Sequence, residues 1–586
     1  MKKKLNIRKK NEIKILLIIL FVAVLFRVPQ VGLNFANDED QMALGIESLA
    51  KLKTPYTVIY RCDTPEGFPE KIPLNCTGEE RYEIIKEPPI EHLYYHPPLS
   101  FIMYTPLAFL PVSREVAFRS GVLIFSLITI ILLYLLARQL YNRKVALFTA
   151  ALAAVSSYHV LSLSYRLTKE VIVISVIMLC FWLWVRWNER VVAGKSQGYG
   201  SIWLIGFLIG AGMLMRMSMV LFLFYLIFYE LVHKRFRGPI IMSVVSLGMV
   251  LAWYIYDYFA TDLHWFKIAF VTTKRTTLGL ASPLWDTSVH IGKMMVQLTA
   301  AHVAFLIIIT LLSFFVFFKM ACKVVQELKQ GRWNGALDKV RVFIMRPEIM
   351  LLGWVILYYC AAAFTKGGGA HGTEKYMLSA LPLSFILIAD LMTRKTELKP
   401  ALLAGSFGVY FVLLYYVNVH DALFYSYLMF RDNAATLIVW ALPFVFVPLF
   451  FIKRIQRVVL QVLFGCLLAA SVFFLIFPQN SFFVNNSLVS QEMEMVPLDK
   501  TIVTKSTYLV RTGLFYDWMG QSLGEKRRVW IEDEGWMDEN VQDRTYDIIM
   551  PLSEWGGFAD VEGCEAGMML GDFPTYYVCS GKEAYS

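Results

Sequence analysis

The sequence predicts a mainly helical, polytopic membrane protein: a bundle of about 13 transmembrane helices followed by a small C-terminal α/β domain. Three observations predict this fold class. Of the 586 residues, 57% are hydrophobic and only 17% are charged, whereas soluble domains contain about 25% charged residues. Many apolar stretches are long enough to cross a membrane, and Lys and Arg recur in alternate gaps between them. The composition therefore excludes an ordinary soluble enzyme, a disordered chain and a disulfide-stapled miniprotein.

The predicted transmembrane helices are apolar stretches of roughly 17–25 residues each. Residues 200–232 form a close pair of such stretches, interrupted only by Arg216. The predicted bounds are 12–33, 115–137, 145–163, 169–186, 200–215, 217–232, 238–258, 297–318, 348–364, 376–393, 400–418, 434–452 and 458–478.

The basic residues predict the orientation, because Lys and Arg concentrate on the cytoplasmic side. The N-terminus reads MKKKLNIRKK, and every even-numbered crossing is followed by a basic gap. We expect a multi-pass plasma-membrane protein with a cytoplasmic N-terminus and an extracytoplasmic C-terminus. The first apolar run is too long for a signal-peptide core, so we interpret it as a retained anchor. The basic gaps are 138–144, 186–195, 233–237, 319–346, 393–399 and 453–457.

Two domains are predicted. Residues 1–478 form the bundle with its outer loop 34–97, and residues 479–586 form an extracytoplasmic α/β domain. The second contains 8 Lys+Arg and 18 Asp+Glu, a net charge of −10. The overall charge of +10 is therefore the sum of +20 on residues 1–478 and −10 on the tail. Most of the basic excess is thus a topology signal, and no nucleic acid is expected as a partner. Within the tail, β-rich runs at 501–510, 528–532, 546–550 and 575–579 accompany a helix-compatible stretch at 513–522.

Four cysteines fall on the predicted extracytoplasmic side. Cys62 and Cys76 lie in the outer loop, and Cys564 and Cys579 lie in the tail. Two local pairs in an oxidising compartment are typical of two disulfides, although free thiols are the alternative.

An acidic cluster, Asn37-Asp38-Glu39-Asp40, directly follows the first span. Neighbouring acids repel one another, which favours protonation of one of them or binding of a cation. Asp38, Glu39 or Asp40 is therefore a candidate general base or metal ligand. The alternative is a solvated helix start, where acids favour the helix dipole.

A second cluster, His96-Pro97-Pro98-Leu99, precedes an apolar stretch that ends at residue 110. Paired prolines turn the chain, so residues 98–110 are predicted to form an interfacial helix. His96 is a candidate ligand of a phosphate or a metal, and an incidental turn residue is the alternative.

Cations on the outer side oppose the charge bias, and they are candidates for binding an anion such as a lipid phosphate. Arg166 and Lys169 lie with Glu170 between the third and fourth spans, and Arg216 lies between the fifth and sixth. Snorkelling to lipid headgroups is the alternative.

A glycine-rich loop at 366–375 lies between the ninth and tenth spans, and Lys366, His371 and Lys375 give it positive charge. Its backbone could close over a ligand, or it is a plain flexible loop. The Walker ending is absent, and no protease, nucleotide-hydrolase or redox motif occurs in a supporting context.

Together these motifs resemble the GT-C superfamily of integral-membrane glycosyltransferases, in particular protein O-mannosyltransferases and lipid A aminoarabinose transferases. The order and common sidedness of the motifs carry the resemblance over roughly residues 12–480. The similar motifs are Asp38-Glu39, His96-Pro97-Pro98-Leu99, Arg166 with Glu170, Arg216, and Lys375-Tyr376 with Pro382.

The resemblance implies a GT-C-like fold and a hexosyltransferase-type enzyme, with a polyprenyl-phosphate sugar as donor. It implies transfer to the hydroxyl of a glycan, lipid or protein acceptor on the extracytoplasmic face, with inversion. It also implies that Asp38 is the base, with Glu39 and Glu170 as further catalytic candidates. The donor phosphate would be bound by Arg166, Arg216, Lys375, His96, Lys169 and His371.

Two departures from the family pattern concern chemistry. Some relatives have a Glu metal ligand where this chain has Tyr95, so a divalent metal at Asp38, Asp40 or His96 is an open alternative. The second acid is Glu170, where Asp is common.

A transporter or flippase of a lipid-linked sugar is the competing function, although paired halves with broken helices are not evident. A structural or receptor protein would leave the outer charges unexplained.

Overall fold

The structure is a computed structural model that describes residues 2–31, 39–52, 60–61, 83–84, 99–156, 167–193, 199–260, 300–364, 379–395, 399–420 and 434–476, with short strands between 502 and 579. The described helices are α1 (Lys2–Leu25), α2 (Glu39–Leu52), α3 (Leu99–Tyr104), α4 (Arg114–Leu140), α5 (Arg143–Val155), α6 (Glu170–Val192), α7 (Gly200–Met213), α8 (Met219–Val232), α9 (Arg237–Ala260), α10 (Ala300–Lys329), α11 (Trp333–Ile344), α12 (Pro347–Phe364), α13 (Leu381–Lys395), α14 (Pro400–His420), α15 (Ala434–Leu449) and α16 (Gln456–Ile476).

A helix occupies each of the predicted apolar stretches. Among the described residues, five helices are long and apolar enough to span a membrane by length and composition. The protein is therefore an integral membrane protein with a mainly helical fold, whereas the number of crossings stays a prediction. The five helical segments are Arg114–Leu140, Glu170–Val191, Arg237–Tyr256, Ala301–Lys329 and Gln456–Phe473.

Side-chain caps set the starts of two helices. The Ser113 hydroxyl accepts a hydrogen bond from the backbone N–H of Val116 at the start of α4. The Asn142 side chain accepts from Lys144 and Val145 at the start of α5. Such caps satisfy N–H groups that have no partner within the helix. Because Asn142 caps α5 directly after α4, a turn of only two residues separates these helices.

Small residues allow α7 and α9 to pack closely. A Cβ added to Gly206 would lie 3.1 Å from the Met242 Cα, and one added to Gly210 would lie 3.0 Å from the Ser246 Cα. Small residues four apart let two helix backbones approach in a membrane, where van der Waals packing drives association. Between α4 and α6, the Thr129 and Ser175 hydroxyls are hydrogen-bonded at 2.8 Å.

An aromatic cluster joins α6, α8 and α12 in the bundle core. The Trp354 ring lies 5.2 Å from that of Phe222, 5.3 Å from that of Tyr225 and 6.2 Å from that of Phe181. All three contacts are edge-to-face, the arrangement that the ring quadrupoles favour. This cluster fixes α12 against the part of the bundle that contains residues 170–232.

The structure differs from the predicted helices at two ends. The helix α10 continues to Lys329 rather than ending near 318, and the amphipathic helix α11 follows it within the stretch predicted to be a basic gap. The interfacial helix predicted over 98–110 is described from Leu99, and it becomes a 3₁₀ helix at Thr105–Phe109. Pro106 explains this change, because a proline has no N–H to continue an α-helix.

The strands lie in the outer loop and in the tail, outside the apolar helices. In the outer loop, β1 (Tyr60–Arg61) pairs with β2 (Glu83–Ile84). In the tail, strands overlap all four predicted β-rich runs, whereas 513–522 lies outside the described residues, so the α/β character stays a prediction. The tail strands are β3 (Ile502–Thr504), β4 (Arg528–Trp530), β5 (Ile548–Pro551), β6 (Cys564–Ala566), β7 (Met569–Leu570), β8 (Phe573–Pro574) and β9 (Tyr576–Cys579).

The register of the tail strands bears on one predicted disulfide. The strands β6 and β9 are antiparallel, and Cys564 is the register partner of Cys579. Opposed residues in antiparallel strands have Cα atoms about 4.5–5.5 Å apart, which lies within the range that a disulfide spans. The Cys62–Cys76 pair lies outside the described residues, and both disulfides stay predictions.

Candidate functional site

The interfacial segment α3 connects two of the polar motifs. The backbone N–H of Leu99, directly after His96-Pro97-Pro98, donates to the carbonyl of Leu214 at 3.2 Å. From the same helix, the Tyr104 hydroxyl donates to the carbonyl of Thr168 at 3.3 Å. These two bonds hold α3 beside the end of α7, where Arg216 follows, and beside the start of α6, where Lys169 and Glu170 lie.

Glu170 and Arg216 form a buried ion pair. An Arg216 guanidinium nitrogen donates to a carboxylate oxygen of Glu170, and the residues are only 3% and 8% exposed. Removing two charges from water costs several kcal/mol per ion, which a direct hydrogen-bonded contact offsets. The structure thus brings together two of the residues predicted for the site, one at the start of α6 and the other after α7.

Lys169 precedes this pair at the N-terminus of α6. Its side chain is only partly exposed, and it interacts electrostatically with both members of the Glu170–Arg216 pair. The predicted role of Lys169 in phosphate binding stays a prediction.

The second half of the acidic cluster is the start of α2, which packs against α3 and the 3₁₀ turn. The Arg114 side chain at the start of α4 bonds to the buried Glu47 carboxylate at 2.5 Å and donates to the Ala108 carbonyl at 2.6 Å. One arginine therefore fixes α2 and the 3₁₀ turn to the same helix end. Glu39 and Asp40 lie in the first turn of α2.

The glycine-rich loop leaves from α12 and returns at residue 379. The Tyr358 hydroxyl donates to the Ser218 hydroxyl oxygen at 3.4 Å, two residues from Arg216. The indole N–H of Trp354 donates to the carbonyl of Ser379 at 3.2 Å. The first contact places α12 beside the residues that follow Arg216, and the second places Ser379 beside α12. The loop 366–375 itself lies outside the described residues.

Several predicted site residues lie outside the described residues, and their placement stays a prediction. In the described part of the chain, no group of three or more His, Cys, Asp or Glu side chains could hold a metal ion. A metal at Asp38, Asp40 or His96 is therefore not tested. The predicted residues outside the description are Asp38, His96, Arg166, His371 and Lys375, together with the loop residue Lys366.

The structure also shows buried charges that the sequence patterns did not single out. Arg27 is fully buried, and it donates to the Ser126 hydroxyl and to the carbonyls of Ala23, Ala153 and Ala154 at 2.8–3.2 Å. It satisfies carbonyls in the last turns of α1 and α5, where no N–H of the same helix is available. A cation is also favourable at a helix C-terminus because of the helix dipole. Arg27 lies near the predicted outer end of the first span, where the charge bias disfavours cations. This position is the feature of the sequence from which a special role of Arg27 could have been predicted. The same applies to the buried residues Glu115 and Arg119 in the first turns of α4.

Residues 95–257 match the family model described as dolichyl-phosphate-mannose-protein mannosyltransferase. This segment contains His96, Arg166, Lys169, Glu170 and Arg216. A comparison with curated protein sequences gave no match.

Several solved structures are similar to this chain. ArnT from Cupriavidus metallidurans in the apo state is 12% identical, with a TM-score of 0.48, over 97% of this chain and 98% of that chain. ArnT bound to undecaprenyl phosphate is 12% identical, with a TM-score of 0.46, over 97% of both chains. The Archaeoglobus fulgidus oligosaccharyltransferase in the apo form is 11% identical, with a TM-score of 0.40, over 91% of this chain and 65% of that chain. The family match confirms, over residues 95–257, the predicted resemblance of this chain to the GT-C superfamily of membrane glycosyltransferases.

Proposed function

We propose that this chain transfers a sugar from a polyprenyl-phosphate-linked donor to the hydroxyl of a glycan, lipid or protein acceptor. The reaction would occur on the extracytoplasmic face of the plasma membrane, with inversion at the anomeric carbon. The match to a family of dolichyl-phosphate-mannose-protein mannosyltransferases supports sugar transfer from a lipid carrier.

One observation carries the proposal: Glu170 and Arg216 form a buried ion pair beside the interfacial segment α3 of an apolar bundle. Charges are expensive inside a membrane protein, and intramembrane charges mark functional sites by default. A guanidinium held next to the interfacial segment α3 is suited to a lipid phosphate, because it offers several N–H donors to phosphate oxygens.

In the proposed mechanism, Asp38 takes the proton from the acceptor hydroxyl, with Glu39 and Asp40 as alternates. The acceptor oxygen then attacks the anomeric carbon, the bond from that carbon to the phosphate oxygen breaks, and the polyprenyl phosphate leaves. General-base assistance of this kind is typically worth about 10²–10⁴ in rate.

The leaving phosphate develops negative charge, and electrostatic stabilisation of such charge is often the largest part of catalysis. Arg216, Arg166 and Lys375 would supply that stabilisation, with His96, His371 and Lys169. Glu170 would hold Arg216 in place. A divalent metal at Asp38, Asp40 or His96 would add charge stabilisation at the same end, and a chelator tests that contribution.

The experiment incubates the purified protein in detergent with labelled polyprenyl-phosphate monosaccharides and a range of acceptors, with and without a chelator. We expect the label to move to an acceptor, and Asp38→Asn to lower turnover by at least about 100-fold, in line with the loss of a general base. Asp338→Asn is the matched control, because Asp338 is an exposed acid on α11, with a 68% exposed side chain, and its loss should leave turnover unchanged.

The same experiment separates an enzyme from a transporter of lipid-linked sugar. In detergent there are no compartments, so a transporter would give no labelled product, whereas an enzyme would. If no donor gave product with any acceptor, the proposed reaction would be wrong. If Asp38→Asn kept normal turnover, the base would have to be reassigned to Glu39 or Asp40.

A further inference from the structure

A groove lies between α8 and α9 at the end of the bundle opposite the candidate site. The helix α8 starts three residues after Arg216 and runs for 14 residues, so the groove lies about 20 Å from the ion pair at 1.5 Å per residue. It encloses about 350 Å³ and is almost entirely apolar. The lining residues are Ile227, Leu231, Phe236, Pro239, Ile240, Ser243 and Val244.

The walls of this groove face the surroundings of the bundle rather than its core. Phe236, Ile240 and Val244 are each more than 60% exposed. On its other side, α9 packs closely on α7 through Gly206 and Gly210. An open apolar cleft on a membrane helix bundle fits a hydrocarbon chain.

A basic turn, residues 233–237, closes the groove at its polar end. Its backbone is fixed, since the Arg235 side chain donates to the Asn188 side chain at 2.8 Å and lies over the Trp187 ring at 5.3 Å. The Arg235 and Lys234 N–H groups each donate to α8 carbonyls at 2.9 Å. With Arg235 turned inward, the exposed cations of the turn are Lys234 and Arg237.

Lys234 has a backbone conformation that lysine rarely adopts. Its φ is +57°, and it is the only non-glycine residue with a positive φ in the described part of the chain. Glycine or asparagine would adopt this conformation at lower cost. Here the conformation ends α8, because it lets the Arg235 N–H donate back to the Glu230 carbonyl. It leaves the positively charged Lys234 side chain exposed beside the apolar groove. From residue 231 to the end of α9, the only acid is Asp257.

We propose that this groove and its basic turn bind an anionic phospholipid of the adjacent leaflet. An acyl chain occupies the groove, and the phosphate lies between Lys234 and Arg237. Charge complementarity selects this occupant, because a zwitterionic lipid would bring its own cation to the turn. The site is separate from the candidate sugar-transfer site and does not depend on the reaction proposed there.

The test titrates the purified full-length protein with phosphatidylglycerol and with phosphatidylcholine of the same acyl chains, and counts bound lipids by native mass spectrometry. We expect tighter binding of phosphatidylglycerol to the wild type. Each Lys or Arg near an anionic headgroup contributes about fivefold in affinity. Lys234→Asn combined with Arg237→Gln should therefore weaken phosphatidylglycerol binding about 30-fold and leave phosphatidylcholine unaffected. Asn suits the positive φ, so this variant should keep its thermal stability.

The matched control is Lys453→Asn with Arg454→Gln, which removes two exposed cations from another basic turn and should leave binding at this groove unchanged. Ser243→Phe fills the groove without changing charge and should also weaken phosphatidylglycerol binding. Equal binding of the two lipids by the wild type, equal loss in the control and in the Lys234/Arg237 variant, or unchanged binding in Ser243→Phe would each overturn the proposal.

Discussion

Replacing Glu170 by Gln tests how the candidate site is held together. The variant keeps the shape of the side chain but removes the carboxylate charge from a pair in which Glu170 and Arg216 are 3% and 8% exposed. The guanidinium then stays buried without its counter-charge. We expect both a loss of stability and a loss of donor binding.

The magnitude follows from burial and contact distance. At an effective dielectric constant of 20, two unit charges 4 Å apart attract by about 4 kcal/mol, and the pair is in direct hydrogen-bonded contact. Removing one partner of a buried pair costs about 3–5 kcal/mol. Removing both charges costs less, because no uncompensated charge remains.

The assay is reversible unfolding in mixed micelles with increasing SDS, applied to Glu170→Gln, Arg216→Gln and the double variant. Each single variant should lose about 3–5 kcal/mol, and the double variant should be at least about 1 kcal/mol more stable than either single variant. If the effects of the single variants simply added in the double variant, the two side chains would not be coupled and the reasoning would be refuted.

Three further predictions concern other parts of the chain. Because Lys169 lies beside the Glu170–Arg216 pair, Lys169→Gln should lower the affinity for a polyprenyl phosphate in a titration of the purified protein. Lys169→Arg keeps the charge and should keep the affinity, and equal affinities of the two variants would contradict the predicted role. Gly210→Val should overpack α7 against α9 and lower the free energy of unfolding in SDS by about 1–3 kcal/mol. In Gly248→Ala, nothing lies within 4 Å of the added Cβ, so this variant should keep the stability of the wild type. Equal effects of the two substitutions would contradict the packing. Cys564 and Cys579 should appear as one crosslinked peptide by mass spectrometry until a reductant is added, and alkylation of both without reductant would show that they are free.

Much of the helical architecture could be predicted, because apolar length and basic gaps are local signals. A helix lies in every predicted apolar stretch. The ends were harder to predict, since they depend on residues that local hydropathy does not register. Pro106 turns the interfacial helix into a 3₁₀ helix, and α10 continues into a polar sequence as far as Lys329.

The candidate site could be predicted as separate charges but not as contacts. Glu170 and Arg216 were each singled out because of their side of the membrane, yet they are 46 residues apart, and no local pattern pairs them. Glu47 and Arg114 were not predicted for the same reason: they are 67 residues apart in sequence, and α2 reaches Arg114 only because it packs against α3 and the 3₁₀ turn.

The most direct test of the central claim, that the buried pair serves a lipid phosphate, combines the two substitutions. The double variant Glu170→Gln/Arg216→Gln should regain stability relative to the single variants, and in detergent it should transfer at least about 100-fold less sugar from the polyprenyl-phosphate donor, the scale expected for a lost electrostatic stabiliser. Its folding is checked by SDS unfolding and its donor affinity by titration with the polyprenyl phosphate. A stable double variant with weakened phosphate binding and little transfer is the predicted result. Wild-type transfer by that variant would contradict the account.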